Sequence, residues 1–162
     1  MKTTKMKKIL IALDYDSSAK KVAETGYSFA RAMNGEVILL HVVSDKVYYY
    51  SRKEYAPIMG VASDMDTNKM HLESLDGLKK VAQQFLDKSK KQLGDDSIVT
   101  IVLEGNFSNS ILSVAKEHHV DVIVMGSHSR NSLETIILGS VTEKVLHYTG
   151  IPLLIIPTKK PD

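Results

Sequence analysis

Residues 37–43 read VILLHVV, six aliphatic side chains around one histidine with no polar alternation. A strand that shows one face to water alternates apolar and polar positions. A run that is apolar at consecutive positions instead expects cover on both faces, the pattern of a parallel sheet held between helical layers. Four more strand-length runs rich in Val, Ile and Leu lie outward from it: Ile9 to Leu13, Ile98 to Leu103, Val120 to Met125 and Leu153 to Ile156. The gaps carry helical spacing. From Ser17 to Met33 the apolar positions Val22, Gly26, Phe29, Ala30 and Met33 recur at three and four, with Gly35 as the stop signal. A second helix is expected from about Leu72 to Leu93 on the stripe Leu75, Leu78, Ala82, Phe85, Leu86 and Leu93, a third over Ser108 to His119, and a fourth over Ser140 to Tyr148. Strict alternation of strand and helix predicts an open α/β sheet of five parallel strands with right-handed crossovers and helices on both faces. The segment from Ser44 to about His71 is too long for a tight connection and carries Tyr48, Tyr49, Tyr50, Pro57 and Gly60. It reads either as a binding loop or lid, or as a surface excursion.

With 162 residues the expectation is a single domain, 1–162. There is no cysteine, which excludes disulfides, thiol redox chemistry and thiolate metal sites. At 43% hydrophobic and 25% charged the composition is that of an ordinary globular chain. No apolar run approaches the roughly 20 residues of a membrane helix. The basic start, MKTTKMKK, is followed by only a short apolar stretch and then Asp14, so it does not read as a signal peptide, and a cytoplasmic location is expected. A net charge of +2 leaves no nucleic-acid footprint. Lys79, Lys80, Lys88, Lys90 and Lys91 are interrupted by Glu73, Asp76 and Asp87 and read as a solvated face.

In a doubly wound sheet ligands sit beyond the carboxyl ends of the strands, so the residues after each strand matter most. Asp14 ends the first strand, where its carboxylate suits either a ribose or base contact or a turn; Asp16 or Ser17 is the expected helix N-cap. The fourth strand ends in Met125, Gly126, Ser127, His128, Ser129 and Arg130, and Gly139, Ser140, Val141, Thr142 and Glu143 follow. Ser140 and Glu143 have capping-box spacing. A helix start preceded by glycine also favours an anion, because amide groups and the macrodipole point at it. Among the six histidines, His128 is the candidate phosphate donor, His41 is expected in the core with one nitrogen satisfied, and His118 and His119 at a helix end; they form no metal set. Lys144 reads as solvated. There is no P-loop and no Gly-x-Gly-x-x-Gly after the first strand. No base, arginine finger and nucleophile converge as phosphoryl transfer requires.

Gly126, two residues, Ser129, nine residues, Gly139 and Ser140 together resemble the nucleotide motif of the universal stress protein family. The resemblance extends through KKILIALDYDSS, VILLHVV, DVIVMGSHSRNSLETIILGSVTEKVL and IPLLIIP. It implies a Rossmann-like sheet of the adenine nucleotide alpha hydrolase type, ordered 3-2-1-4-5, with ATP, or AMP or ADP, between the tips of strands one and four and Mg2+ held through the phosphates. By the resemblance Ala12, Asp14 and the backbone of Val42 would contact adenine and ribose, while Met125, Gly126, Ser127, His128, Ser129, Gly139, Ser140 and Val141 would surround ribose and phosphates. It further implies a nucleotide-binding sensor or stress-protective module and a homodimer through strand 152–157. The alternatives are a nucleotide-free interaction dimer or a slow ATPase. Ser129 stands where the motif has its second glycine, bringing a Cβ and a hydroxyl into the phosphate loop, and Asp16 replaces a serine common after the first strand.

Overall fold

The structure, a computed structural model, describes residues 7–15, 17–44, 75–127 and 138–158. The chain alternates β1 (Lys8–Ala12), α1 (Ala19–Ala32), β2 (Glu36–Val43), α2 (Leu75–Leu93), β3 (Val99–Glu104), α3 (Phe107–Glu117), β4 (Val122–Gly126), α4 (Ser140–Tyr148) and β5 (Leu153–Ile156). All strands pair in parallel, in the order β3-β2-β1-β4-β5. The expected fold class and strand order are therefore present.

Successive residues of each central strand enter opposite layers. Ile9, Ile11, Val37, Leu39 and Val124 pack with Val22 and Ala30 of α1 and Leu78, Phe85 and Leu86 of α2. Leu10, Ile38, Leu40, Ile123 and Met125 pack with Ile111, Val114 and Ala115 of α3 and Val145 of α4. Each fully buried aliphatic side chain contributes roughly 1.5–3 kcal/mol, so the consecutive apolar positions of β1, β2 and β4 are used on both faces. The edge strands are less covered: Val99 on β3 is half exposed, and Leu153, Leu154 and Ile155 on β5 are half-buried. Asp121 breaks the apolar run Val120 to Met125 because it lies before β4, where its carboxylate accepts from the Lys8 amide at 2.8 Å and its own amide donates to Lys8 O at 2.8 Å.

One local expectation is corrected. The N-cap of α1 is Ser18, without a side-chain cap bond, and not Asp16 or Ser17; Ser18 O accepts the Val22 amide and so closes the first turn. Asp16 itself lies outside the described residues. At the other end the helix stops before Gly35 as expected, and the left-handed residue is Asn34 (φ 53). Asn34 donates to Arg31 O and Gly35 to Ala30 O, the paired bonds of a Schellman ending. A Cβ at Gly35 would run into the end of the buried Ile9 side chain and come within 3.0 Å of Lys7 O. His118 and His119 do end a helix, α3, with His119 left-handed (φ 54) and the Val120 amide returning to Ala115 O. Of the long connection after β2, everything past Ser44 lies outside the described residues.

Candidate functional site

The strand order reverses between β1 and β4: the chain moves from β1 outward through β2 and β3, then returns to β4 and moves out to β5 on the other side. The connections leaving the two central tips therefore diverge and leave a crevice at their carboxyl ends. Four predicted residues converge there on one face. Val42 and Met125 belong to the buried cluster beneath α3 and α4, and the half-buried Ala12 and Val141 pack against it. Because the Val42 and Met125 side chains are buried, their backbone is what they offer a ligand. Asp14 is exposed at the end of the β1 tip, and its Oδ1 accepts from the Tyr15 amide at 2.8 Å.

The tip of β4 is strapped to its neighbours. Thr142 Oγ1 donates to Gly126 O at 3.0 Å and the Gly139 amide to Ser127 O at 3.2 Å, which fixes the start of α4 against the strand end. Ser127 is held from the other side, its amide donating to Ile156 O at 2.9 Å and its Oγ accepting from the Thr158 amide at 3.1 Å. Gly126 is tight: a Cβ would meet Val22 Cγ2 and Thr158 Cγ2 at 3.0 Å, so a side chain here would have to shift those neighbours by a few tenths of an ångström.

The capping-box expectation is overturned. Gly139 is the N-cap of α4, with no side-chain cap bond, and the Glu143 amide donates to Gly139 O at 2.9 Å. Ser140 is the first helical residue, one position too late to receive the third-position amide, and Glu143 is correspondingly one too far along. The first turn of α4 thus has no side-chain acceptor among the described residues, and its orphan amides and positive dipole end favour an anion. His128 and Ser129 lie outside the described residues. Among the described residues no group of three or more His, Asp or Glu side chains is arranged to hold a metal.

His41 is in the core as expected, 1% exposed, with Nδ1 at 2.8 Å from Leu13 O. Burial pushes its pKa from 6.5 down to about 4 against the opposing pull of the Leu13 carbonyl and Asp14. Thr142 and Thr158 are contributors the sequence reading did not single out. Thr142 was obscured by the capping box read across it, and Thr158 lies beyond Pro157, where the strand pattern has ended.

The Universal stress protein family model matches residues 5–157. The chain is 31% identical over 156 residues to Universal stress protein MJ0577 of Methanocaldococcus jannaschii, covering 94% of this chain and 96% of that one. It is 30% identical over 154 residues to Universal stress protein A homolog 2 of Coxiella burnetii, covering 94% and 96%. Its structure resembles the solved structure of MJ0577 with a TM-score of 0.68 at 27% identity, over 96% of this chain and 98% of that one. It also shares its fold with a universal stress protein solved in complex with cAMP, with a TM-score of 0.61 at 16% identity, over 94% and 98%.

Proposed function

The chain belongs to the universal stress protein family, and from that premise we propose that it binds an adenine nucleotide, ATP foremost, between the tips of β1 and β4. The observation that carries the reading is the start of α4: a glycine-capped helix without a side-chain acceptor on its first turn, strapped to the β4 tip beside the apolar shelf of Ala12, Val42, Met125 and Val141. In this reading Ala12 and the backbone of Val42 receive the base, the Asp14 carboxylate accepts from the ribose, and the backbone of Met125 flanks the ribose. The phosphates lie over Gly126, Ser127, Gly139, Ser140 and Val141, where amides and the helix dipole offset their charge; His128 and Ser129 complete the phosphate loop. Small residues at Gly126, Ser127, Gly139 and Ser140 suit a triphosphate. Mg2+ is held through the phosphates and offsets their charge. That a fold-sharing universal stress protein was solved with cAMP supports an adenine nucleotide as the ligand class. The chain acts as a cytoplasmic sensor or protective module and not as a dedicated catalyst, and it dimerises through β5.

The test is thermal denaturation with and without millimolar ATP and Mg2+. A ligand that binds only the folded chain raises its stability by about 2.7 kcal/mol at a hundredfold excess over Kd, so the wild type should melt at a higher temperature with nucleotide. Gly139→Val, which crowds the first turn of α4, should lose the shift. Equal shifts in both proteins would remove the α4 terminus from the site.

A further inference from the structure

Pairing of β1 with β2 ends at Ala12 and Leu40. The next residue, Leu13, remains tied to β2 by both backbone groups: its amide donates to Leu40 O at 2.9 Å, and its carbonyl receives His41 Nδ1 at 2.8 Å. A carbonyl only accepts, so Nδ1 carries the proton and Nε2 is the bare nitrogen. Nε2 has no hydrogen-bond partner among the described residues. The ring lies against aromatic carbon, with the Tyr15 centroid at 3.6 Å and that of Phe85 at 6.1 Å. Phenylalanine would fill such surroundings without stranding a nitrogen, and burying a half-satisfied imidazole works against stability. Packing alone therefore does not account for histidine at this position. What it supplies, and no apolar residue can, is a fixed donor to the carbonyl of Leu13, the residue between Ala12 and Asp14.

We propose that His41 is a positioning residue for the nucleotide: by gripping the Leu13 carbonyl it sets the β1 tip so that Ala12 and Asp14 meet base and ribose beside the backbone of Val42. This rests on the adenine-nucleotide reading above. His41 touches no ligand itself, since its neighbours Tyr15 and Phe85 belong to the core beneath α1 and α2, across the sheet from the shelf of Ala12 and Val42.

Two substitutions separate the donor from the ring. His41→Phe keeps an aromatic ring and removes the donor; His41→Asn keeps an amide donor where Nδ1 stood and removes the ring. Melting temperature should follow the ring and be lower in His41→Asn, which leaves a cavity. Calorimetric affinity for ATP with Mg2+ should follow the donor, weakening about five- to tenfold in His41→Phe and staying within about twofold of wild type in His41→Asn, as expected for one hydrogen bond. Affinity that falls in both variants, in neither, or in His41→Asn alone overturns the role of His41 and leaves the nucleotide reading intact. A wild type that binds no adenine nucleotide overturns both. If a variant does not fold, the wild type decides: saturating ATP should slow exchange of the His41 Nδ1 proton by about tenfold, because a ligand stabilises the contacts that position it. Unchanged exchange overturns the proposal.

Discussion

His119 holds a left-handed backbone, φ 54, on an exposed surface with no side-chain requirement visible for histidine. Left-handed conformations cost a side-chain-bearing residue about 1–2 kcal/mol, part of which glycine regains. His119→Gly should therefore raise unfolding free energy by about 0.5–1 kcal/mol in urea denaturation; no gain would mean that the α3 ending is unstrained. Gly35→Ala should act the other way, by about 1–3 kcal/mol, because the new Cβ would run into the buried Ile9 side chain and lie 3.0 Å from Lys7 O. His119 was legible as a helix end and Gly35 as a stop signal, but the left-handed turns were not, since a stop signal does not say which of Asn34 and Gly35 turns left-handed. His41 was legible as a buried histidine because it interrupts an aliphatic run; its grip on Leu13 was not, since it depends on strand register. Burial holds the folded His41 pKa at about 4 against 6.5. The unfolded chain thus binds more protons between these values, so stability rises with pH across the window and is lost as pH falls, by about 3 kcal/mol at full extent. Urea denaturation between neutral pH and about pH 5 should show this slope in the wild type and a shallower one in His41→Phe. Equal slopes would mean that another group governs acid stability.

At the scale of elements, the joint between β4 and α4 determines how the candidate phosphate end is held. Thr142 is buried, and its hydroxyl to Gly126 O is the side-chain tie from α4 to the strand tip. Thr142→Val keeps the shape and removes the bond, leaving a carbonyl unsatisfied, and should cost about 1–3 kcal/mol by denaturation. It should also weaken nucleotide binding, because the α4 start is then free to shift. Unchanged stability would mean that the Gly126 carbonyl finds another donor. The boundaries of α4 itself, Ser140 to Tyr148, were legible in full, yet its cap was misread. Spacing shows that Ser140 and Glu143 are three apart; it does not show whether the helix begins at the serine or at the glycine before it. That one-residue ambiguity decides whether the first-turn amides meet a hydroxyl or stay open to a ligand.

Across the whole molecule, the parallel sheet and its two helical layers were legible because the central strands are apolar at consecutive positions, a pattern that a sheet covered on both faces imposes. The order of strands needed the family resemblance, since periodicity alone does not order parallel strands. The edge strand β5 keeps half-buried Leu153, Leu154 and Ile155 between Pro152 and Pro157, an apolar edge of the kind that proteins pair or cover. We expect the wild type to be a dimer through this edge at tens of micromolar, by light scattering, and Leu154→Pro to give monomer or aggregate; a wild-type monomer would dismiss the interface. The central claim is that the crevice between β1 and β4 takes an adenine nucleotide. Isothermal titration of the purified wild-type chain with ATP and Mg2+ tests it most directly: the account predicts saturable binding at one nucleotide per chain, and a flat isotherm at millimolar ATP and AMP would contradict it.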